Sequence, residues 1–202
     1  MLDFVLEKSL FQQGYRTVAA LDEAGRGPLA GPVVAACVIF RVDFNICPEL
    51  EQVKDSKKLS AKKRLELCRI IKEKFLAIGI GLCDNKTIDK INILQASFLA
   101  MKKALGAAKL KPDLVILDGG FSIPNFSLKQ QAIVRGDEQI FSIAAASIVA
   151  KVTRDKMMQE LDQKYPQYGF AQHKGYGTKL HLERLKQYGP CPIHRLSFNR
   201  VI

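Results

Sequence analysis

Two apolar, β-branched runs near the start of the 202-residue chain, at 17–21 and 33–40, are divided by the stretch DEAGRGPLAGP, which holds three glycines and two prolines. Such runs favour extended strands. Glycine and proline interrupt a regular strand, so the dividing stretch should form a tight loop. The chain is therefore constrained to open its sheet with a strand, a loop and a second strand.

Further strands and helices follow this opening. Ser60 is suited to cap a helix in which Leu67, Ile71 and Phe75 recur every four positions. We also predict strands at 77–83, 114–117 and 131–135, and helices at 88–105, 141–164 and 179–187. The order predicts an α/β fold, a mixed five-stranded sheet flanked by helices with a C-terminal helical region. We expect one domain over residues 1–202, with its helical part beginning at about residue 138.

The charge of the chain indicates an anionic partner. Lys and Arg number 31 against 20 Asp and Glu, a net charge of +11, which favours nucleic acid, although a basic balance also serves solubility alone. The five cysteines contain no C-x-x-C pair, and their odd number argues against a disulfide framework. We find neither a leader peptide nor an apolar run long enough to span a membrane, so we expect a cytoplasmic protein without membrane contact.

Carboxylates stand at predicted strand ends beside glycines. Asp22 and Glu23 lie where the first strand runs into glycines, Asp118 lies where the strand at 114–117 does the same, and Asp137 stands at the entry to the long helix. In a mixed sheet Asp22 and Asp118 can be neighbours and share one hard cation, with Asp137 as a further ligand. The alternative is that Asp22 and Asp118 are turn residues and Asp137 is a helix cap. Glu23 can join Asp22 only if the strand twists or bulges, since adjacent strand residues face opposite sides.

The string LDEAGRGPLAGPVVAA at 21–36 resembles the opening motif of the type 2 ribonucleases H, in particular the bacterial ribonuclease HII family. The resemblance continues in order through DSKKLS at 55–60, INIL at 91–94, LDG at 117–119, GD at 136–137, AAASIVAKVTRD at 144–155, HKGYGT at 173–178 and GPCPIHRLSF at 189–198. It therefore covers nearly the whole chain. The resemblance implies the ribonuclease H-like fold.

The same resemblance implies an endonuclease that cuts 5′ of ribonucleotides in RNA–DNA hybrids and of single ribonucleotides embedded in duplex DNA. Asp22, Glu23, Asp118 and Asp137 fall on the family's catalytic, metal-binding positions. Two divalent ions, Mg²⁺ or Mn²⁺, would activate the attacking water and stabilise the leaving 3′-oxygen. The products would carry 5′-phosphate and 3′-hydroxyl ends.

Substrate contacts are also implied by the resemblance. It assigns Gly25, Arg26 and Gly27 to the surroundings of the ribonucleotide 2′-hydroxyl, and Tyr176 to packing on the sugar that follows. Glycines allow a close backbone approach, and an exposed aromatic between two glycines suits stacking, although such a tyrosine is more often part of a core. The matching motifs also offer four candidate phosphate contacts, Lys57, Asn92, Ser147 and Lys151.

Rival hypotheses remain at this point. A non-catalytic nucleic-acid-binding module of the same fold would explain the charge, but all four acids are present. Ribonuclease HIII carries an extra domain before its first acid, and only 21 residues precede Asp22. A junction resolvase would leave GRG and the tyrosine unexplained. His173, His181 and His194 form no zinc pattern and should serve structural hydrogen bonds. We expect a monomer, and we see no sliding-clamp-binding motif after HRLSF.

Overall fold

The computed structural model describes Leu2 and residues 4–201, so both ends of the predicted 1–202 domain lie outside the described residues. The strands are β1 (Thr17–Ala24), β2 (Val33–Arg41), β3 (Ala77–Cys83), β4 (Leu114–Asp118) and β5 (Gln130–Ile133). The α-helices are α1 (Val5–Gln12), α2 (Ala61–Lys74), α3 (Asn85–Ala107), α4 (Gly136–Gln139), α5 (Phe141–Lys164), α6 (Phe170–His173) and α7 (Lys179–Tyr188). Two short 3₁₀ helices, Pro48–Leu50 and Ser56–Lys58, precede α2.

The strands form one mixed five-stranded sheet in the order β3-β2-β1-β4-β5. β1, β2 and β3 are joined by antiparallel pairings, whereas β4 lies parallel to both β1 and β5. This arrangement confirms the predicted fold class. It also places the C-terminal ends of β1 and β4 side by side.

Helices cover both faces of the sheet because its central strands are apolar on both sides. Val18, Ala20 and Phe40 face a core shared with α5 and α2, while Ala19 and Ile39 face a core shared with α3. All of β2 except its last residue is inaccessible to solvent. Each fully buried aliphatic or aromatic side chain contributes about 1.5–3 kcal/mol, so this strand anchors the fold.

Most predicted elements are confirmed, and the differences have local causes. β1 continues through Asp22 and Glu23 to Ala24, because these residues still pair with β2. Asp137 does not begin the long helix as we predicted. It lies in the separate helix α4, which is divided from α5 by the extended backbone of Ile140. Helix α1 was not predicted.

The C-terminal segment packs against the loop that follows β1. Leu29 N–H donates to the Gly175 carbonyl at 2.8 Å, and Gly31 N–H donates to the Ile193 carbonyl at 2.9 Å. Three buried histidines hold this segment together, as predicted, and His181 Nε2 lies 3.0 Å from His194 Nε2. Within the described part of the chain, no helix is both long and apolar enough to cross a bilayer.

Candidate active site

Two acids meet where the parallel strands β1 and β4 end. Leu21 lies beside Leu117 in the register, so the next residues, Asp22 and Asp118, occupy equivalent positions on adjacent strands. The neighbouring positions predicted for these two strand ends are therefore confirmed. Asp22 is buried, and Asp118 is partly buried.

The third acid is brought to Asp118 by the turn between β5 and α4. Asp118 Oδ1 accepts hydrogen bonds from the backbone N–H groups of Gly136 at 2.7 Å and Asp137 at 3.4 Å. A side chain at Gly136 would press on Ile143, whose Cδ1 lies 2.7 Å from the position of an added Cβ. Asp137 is consequently fixed near Asp118, and its own carboxylate is buried.

Glu23 joins the acids without a bulge, one of the two distortions that we expected, since the regular β1–β2 register runs through it. Its backbone N–H donates to Asp22 Oδ1 at 2.7 Å, and its carboxylate pairs with Arg26 at 3.3 Å. Glu23 also lines one cleft with Asp118. The charges of Asp118 and Asp137 both act on the Glu23 carboxyl, so Glu23 belongs to the acid cluster.

Burial and mutual repulsion disfavour the charged forms of these acids. Burial raises the pKa of Asp22 well above its ordinary value, and the charges of Glu23 and Asp118 raise it further. Burial raises the pKa of Glu23 to about 6, with Arg26 opposing the shift and Asp118 adding to it. Burial, followed by the charge of Asp137, raises the pKa of Asp118. Such a cluster is stabilised by a cation.

Lys57 supplies one cation to this cluster. Its ammonium lies 3.1 Å from Asp137 Oδ2. The 3₁₀ helix that carries it is capped by Asp55, whose carboxylate accepts the Lys57 N–H at 2.9 Å. Burial works against the charge of Lys57, but its hydrogen bond to Asp137 leaves the pKa raised overall.

The donor set of the cluster fits a hard divalent cation, because every ligand it offers is a carboxylate oxygen. In the described residues, however, no three His, Cys, Asp or Glu side chains are grouped so that they could hold a metal ion as they stand. The raised pKa values of Asp22, Glu23 and Asp118 mean that a bound cation would stabilise their charged forms. As the described residues stand, these acids are candidate ligands and do not form a complete ligand set.

The predicted recognition residues lie next to the acids. We call residues 25–27 the GRG segment and residues 175–177 the tyrosine segment. Gly25 follows β1 with φ +99°, and a Cβ on Gly27 would lie 3.8 Å from the ring of Tyr176. Tyr176 is 44% exposed, and the Lys151 ammonium lies 5.8 Å from its ring centroid. The fold thus brings together Gly27, Lys151 and Tyr176.

Ser147 and Lys151 lie one turn apart on α5 but differ in exposure. Ser147 is buried, with its hydroxyl 3.0 Å from that of Ser56, and its hydrogen bond to Asp22 lowers the pKa of that carboxyl against the upward shifts. Lys151 is half-buried and donates to Asp155 Oδ1 at 2.7 Å. Ser147 therefore contacts Asp22 from the buried side of the acid cluster.

Asn92 lies in a different cleft from the acids. It interrupts helix α3 with φ 63° and ψ 166°, and its side chain accepts the Gln95 N–H at 3.1 Å. Its cleft is also lined by Asp89 and Phe198. A phosphate contact by Asn92 stays a prediction.

Sequence reasoning missed two arginines beneath the GRG segment. Arg154 and Arg195 are completely buried, and both donate to backbone carbonyls of the loop after β1. Both lie within the quoted motifs, at 144–155 and 189–198. Their place within these motifs was the available signal, since the 144–155 motif also carries Lys151 and Asp155 and charge alone does not single out Arg154.

Solved structures share this fold. Ribonuclease H2 from Pyrococcus horikoshii OT3 matches with a TM-score of 0.74 and 30% sequence identity, over 92% of this chain and 95% of that one. The ribonuclease HII in the complex with PCNA from Archaeoglobus fulgidus matches with a TM-score of 0.65 and 28% identity, over 85% and 86% of the two chains. The fold therefore belongs to the ribonuclease H-like class of proteins.

The family follows from the sequence comparisons. The family model described as Ribonuclease HII matches residues 19–201. Ribonuclease HII from Acetivibrio thermocellus is 52% identical over 97% of this chain and 75% of its own length. The chain belongs to the ribonuclease HII family, and it is a ribonuclease H, an endonuclease and hydrolase.

Proposed function

We propose that this chain hydrolyses the phosphodiester bond 5′ of ribonucleotides, both in RNA–DNA hybrids and where one ribonucleotide is embedded in duplex DNA. The observation that supports this most is that a single strand, β1, both carries catalytic acids and leads into the segment proposed to recognise the ribonucleotide. β1 supplies Asp22 and Glu23 and leads directly into the GRG segment, whose Gly27 lies beside the Tyr176 ring. A group recognised at residues 25–27 would thus be presented beside the acids.

We further propose that Asp22, Glu23, Asp118 and Asp137 hold two divalent ions, Mg²⁺ or Mn²⁺. When bound, these ions would supply the Lewis acidity that activates water and stabilises the leaving 3′-oxygen, giving 5′-phosphate and 3′-hydroxyl ends. The protein's own groups prepare the site. Ser147 orients Asp22, the backbone of 136–137 fixes Asp118, and Lys57 offsets the charge of Asp137.

Recognition of the 2′-hydroxyl is assigned to the GRG segment, and recognition of the following sugar to Tyr176. The hydroxyl distinguishes RNA from DNA at a given nucleotide, and only close backbone approach recognises it well. Gly25 and Gly27 have no side chain to obstruct that approach. The exposed ring of Tyr176 would pack on the next sugar, and its neighbour Lys151 would meet a phosphate.

The remaining contacts are proposed from exposure and charge. The exposed side chain of Lys57 can reach a phosphate as well as Asp137. Buried Ser147 is better placed to act through Asp22 than on a phosphate. The helical part from about residue 138 carries Lys151 and Tyr176, which supports its role in substrate binding.

We propose that the protein acts in the cytoplasm and as a monomer. All five cysteines are free thiols, which suits a reducing compartment. Size-exclusion chromatography with light scattering should give a mass near 22.5 kDa. A sliding clamp added to the cleavage reaction should leave the rate unchanged, and stimulation would overturn our expectation that the chain lacks a clamp-binding motif.

The test of the function is cleavage of a labelled DNA duplex that contains one ribonucleotide, with Mg²⁺ or Mn²⁺. We expect cleavage of this duplex, none of an all-DNA duplex, and none by Asp118→Asn. Asp43→Asn is the matched control, because Asp43 is exposed and outside the site. Tight duplex binding without cleavage under either metal would instead support a non-catalytic binding module.

A further inference from the structure

Arg154 and Arg195 are two buried cations. Within the described residues neither forms an ion pair, and neither is exposed to solvent. Burying an unpaired charge costs several kcal/mol unless hydrogen bonds compensate. We therefore expect these two buried arginines to have a function that an apolar side chain could not perform.

Arg195 donates hydrogen bonds to the GRG segment and to Gly31 in the same loop after β1. Its guanidinium donates to the carbonyls of Gly25 at 2.6 Å and Arg26 at 2.9 Å, and twice to Gly31, at 3.0 and 2.9 Å. Its planar fork satisfies three carbonyls at once, which a lysine ammonium could not do in the same geometry.

Arg154 links the same loop to the tyrosine segment. It donates to the carbonyls of Pro32 at 2.9 Å and Ala30 at 3.2 Å, and to the carbonyl of Lys174 at 3.0 Å. Lys174 directly precedes the tyrosine segment. One side chain thus fixes the spacing between the two segments that meet at Gly27 and Tyr176.

The direction of these hydrogen bonds determines what the GRG segment offers to a ligand. In a trans peptide unit the C=O and the following N–H point in opposite directions. Because the carbonyls of Gly25 and Arg26 point at Arg195, the N–H groups of Arg26 and Gly27 point away from it. A cation on the carbonyl side also polarises each unit and strengthens its N–H as a donor.

We propose that Arg154 and Arg195 are positioning residues for ribonucleotide recognition. Arg195 aims two consecutive N–H donors of the GRG segment at the oxygens of the ribonucleotide, and Arg154 holds the tyrosine segment at the matching distance. This inference rests on the proposed function, in which these two segments recognise the 2′-hydroxyl and the following sugar. Neither arginine touches the substrate.

The inference is tested by the preference for a duplex with one ribonucleotide over the same all-DNA duplex. Binding is measured in the Asp118→Asn background, which removes cleavage. We expect Arg195→Lys to lower the preference about tenfold, as for one or two weakened hydrogen bonds, while all-DNA binding changes less than about twofold. Arg41→Lys is the matched control, since Arg41 is exposed at the opposite end of β1 and β2. Equal losses on both duplexes, or an unchanged preference, would overturn the inference.

Arg154→Lys provides a second test that does not depend on the folding of Arg195→Lys. If Arg154 acts through the tyrosine segment, its substitution should lower the ribonucleotide preference in the parent but have no further effect in a Tyr176→Ala background. Additive losses would overturn the linkage. Cleavage by the chain with Asp118 is measured alongside, so failure of the proposed function appears as absent cleavage, separately from any change in preference.

Discussion

The acid cluster and the arginine pair are both buried and charged, but only one of them is satisfied by the protein itself. Arg154 and Arg195 place their donors on carbonyls, so the hydrogen bonds offset burial even though the pKa of Arg195 falls to about 9 through burial and the charge of Arg154. Asp22, Glu23 and Asp118 repel one another. The difference indicates two sides of the site. The recognition side, formed by the GRG and tyrosine segments on the two arginines, is rigid, whereas the catalytic side, formed by the acid cluster, is completed by a ligand.

The largest expected effect comes from removing a charge on the incomplete side. Asp118→Asn should abolish cleavage, with a loss of at least about 1000-fold, because metal stabilisation of the transition state is worth several kcal/mol. The same change should raise the melting temperature of the metal-free protein, since it removes repulsion from Asp137. A variant that cleaves normally would contradict the catalytic role of Asp118, and one that melts lower without metal would contradict the repulsion from Asp137.

A change on the rigid side should damage both stability and recognition. In Gly25→Ala the new Cβ would collide with the Arg154 guanidinium in a positive-φ backbone. We expect a loss of more than about 2 kcal/mol in the free energy of unfolding by denaturant titration, given strain and a disturbed buried network.

Gly14→Ala is the matched control for this change. Gly14 has φ +95°, close to that of Gly25, but a Cβ there would meet open space. It should lose only about 1 kcal/mol, from backbone strain alone. Equal losses for the two variants would show that the contact with Arg154 is not what constrains Gly25.

A smaller effect is expected at the edge of the recognition side. Tyr176→Ala should raise KM for a ribonucleotide duplex about tenfold, because stacking on an aromatic ring contributes about 1–3 kcal/mol. Tyr176→Phe keeps the ring and should stay within about threefold of the parent. Steady-state kinetics distinguish the two, and an equal effect of both variants would assign the role to the hydroxyl.

The smallest effect is a pH dependence of the metal-free acid cluster. The folded pKa of Glu23, about 6, lies above its ordinary value of 4.5, so the folded state holds the proton more tightly. Stability in a chelator should therefore increase as the pH falls from about 7 to 5, and decrease as it rises through about 6. Thermal melts with EDTA test the sign. If stability instead decreased as the pH was lowered from about 7 to 5, the repulsion inferred among the acids would be contradicted.

The sequence predicts the rigid frame better than the site it supports. The strands at 77–83 and 114–117 and the helix at 141–164 are found because period and composition agree locally. The end of β1 was missed because Asp22 and Glu23 are poor strand formers that pair only through tertiary contact with β2.

The site shows the same division. Strand ends beside glycines predict that Asp22 and Asp118 are neighbours. The separate helix of Asp137, the approach of Glu23 and the buried position of Ser147 depend on turns and packing between distant segments. Arg154 and Arg195 bind carbonyls more than 100 residues away, which no local pattern can indicate.

The proposed reaction is best tested by the chemistry of the ends that cleavage leaves on a duplex with a single ribonucleotide. We predict that the upstream fragment is DNA with an extendable 3′-hydroxyl, and that the downstream fragment begins with the ribonucleotide and a 5′-phosphate. Mass spectrometry of both fragments would identify these ends. A cut on the 3′ side that leaves a 2′,3′-cyclic phosphate would contradict this prediction, because the 2′-hydroxyl would then be the nucleophile and not the group recognised beside the acids.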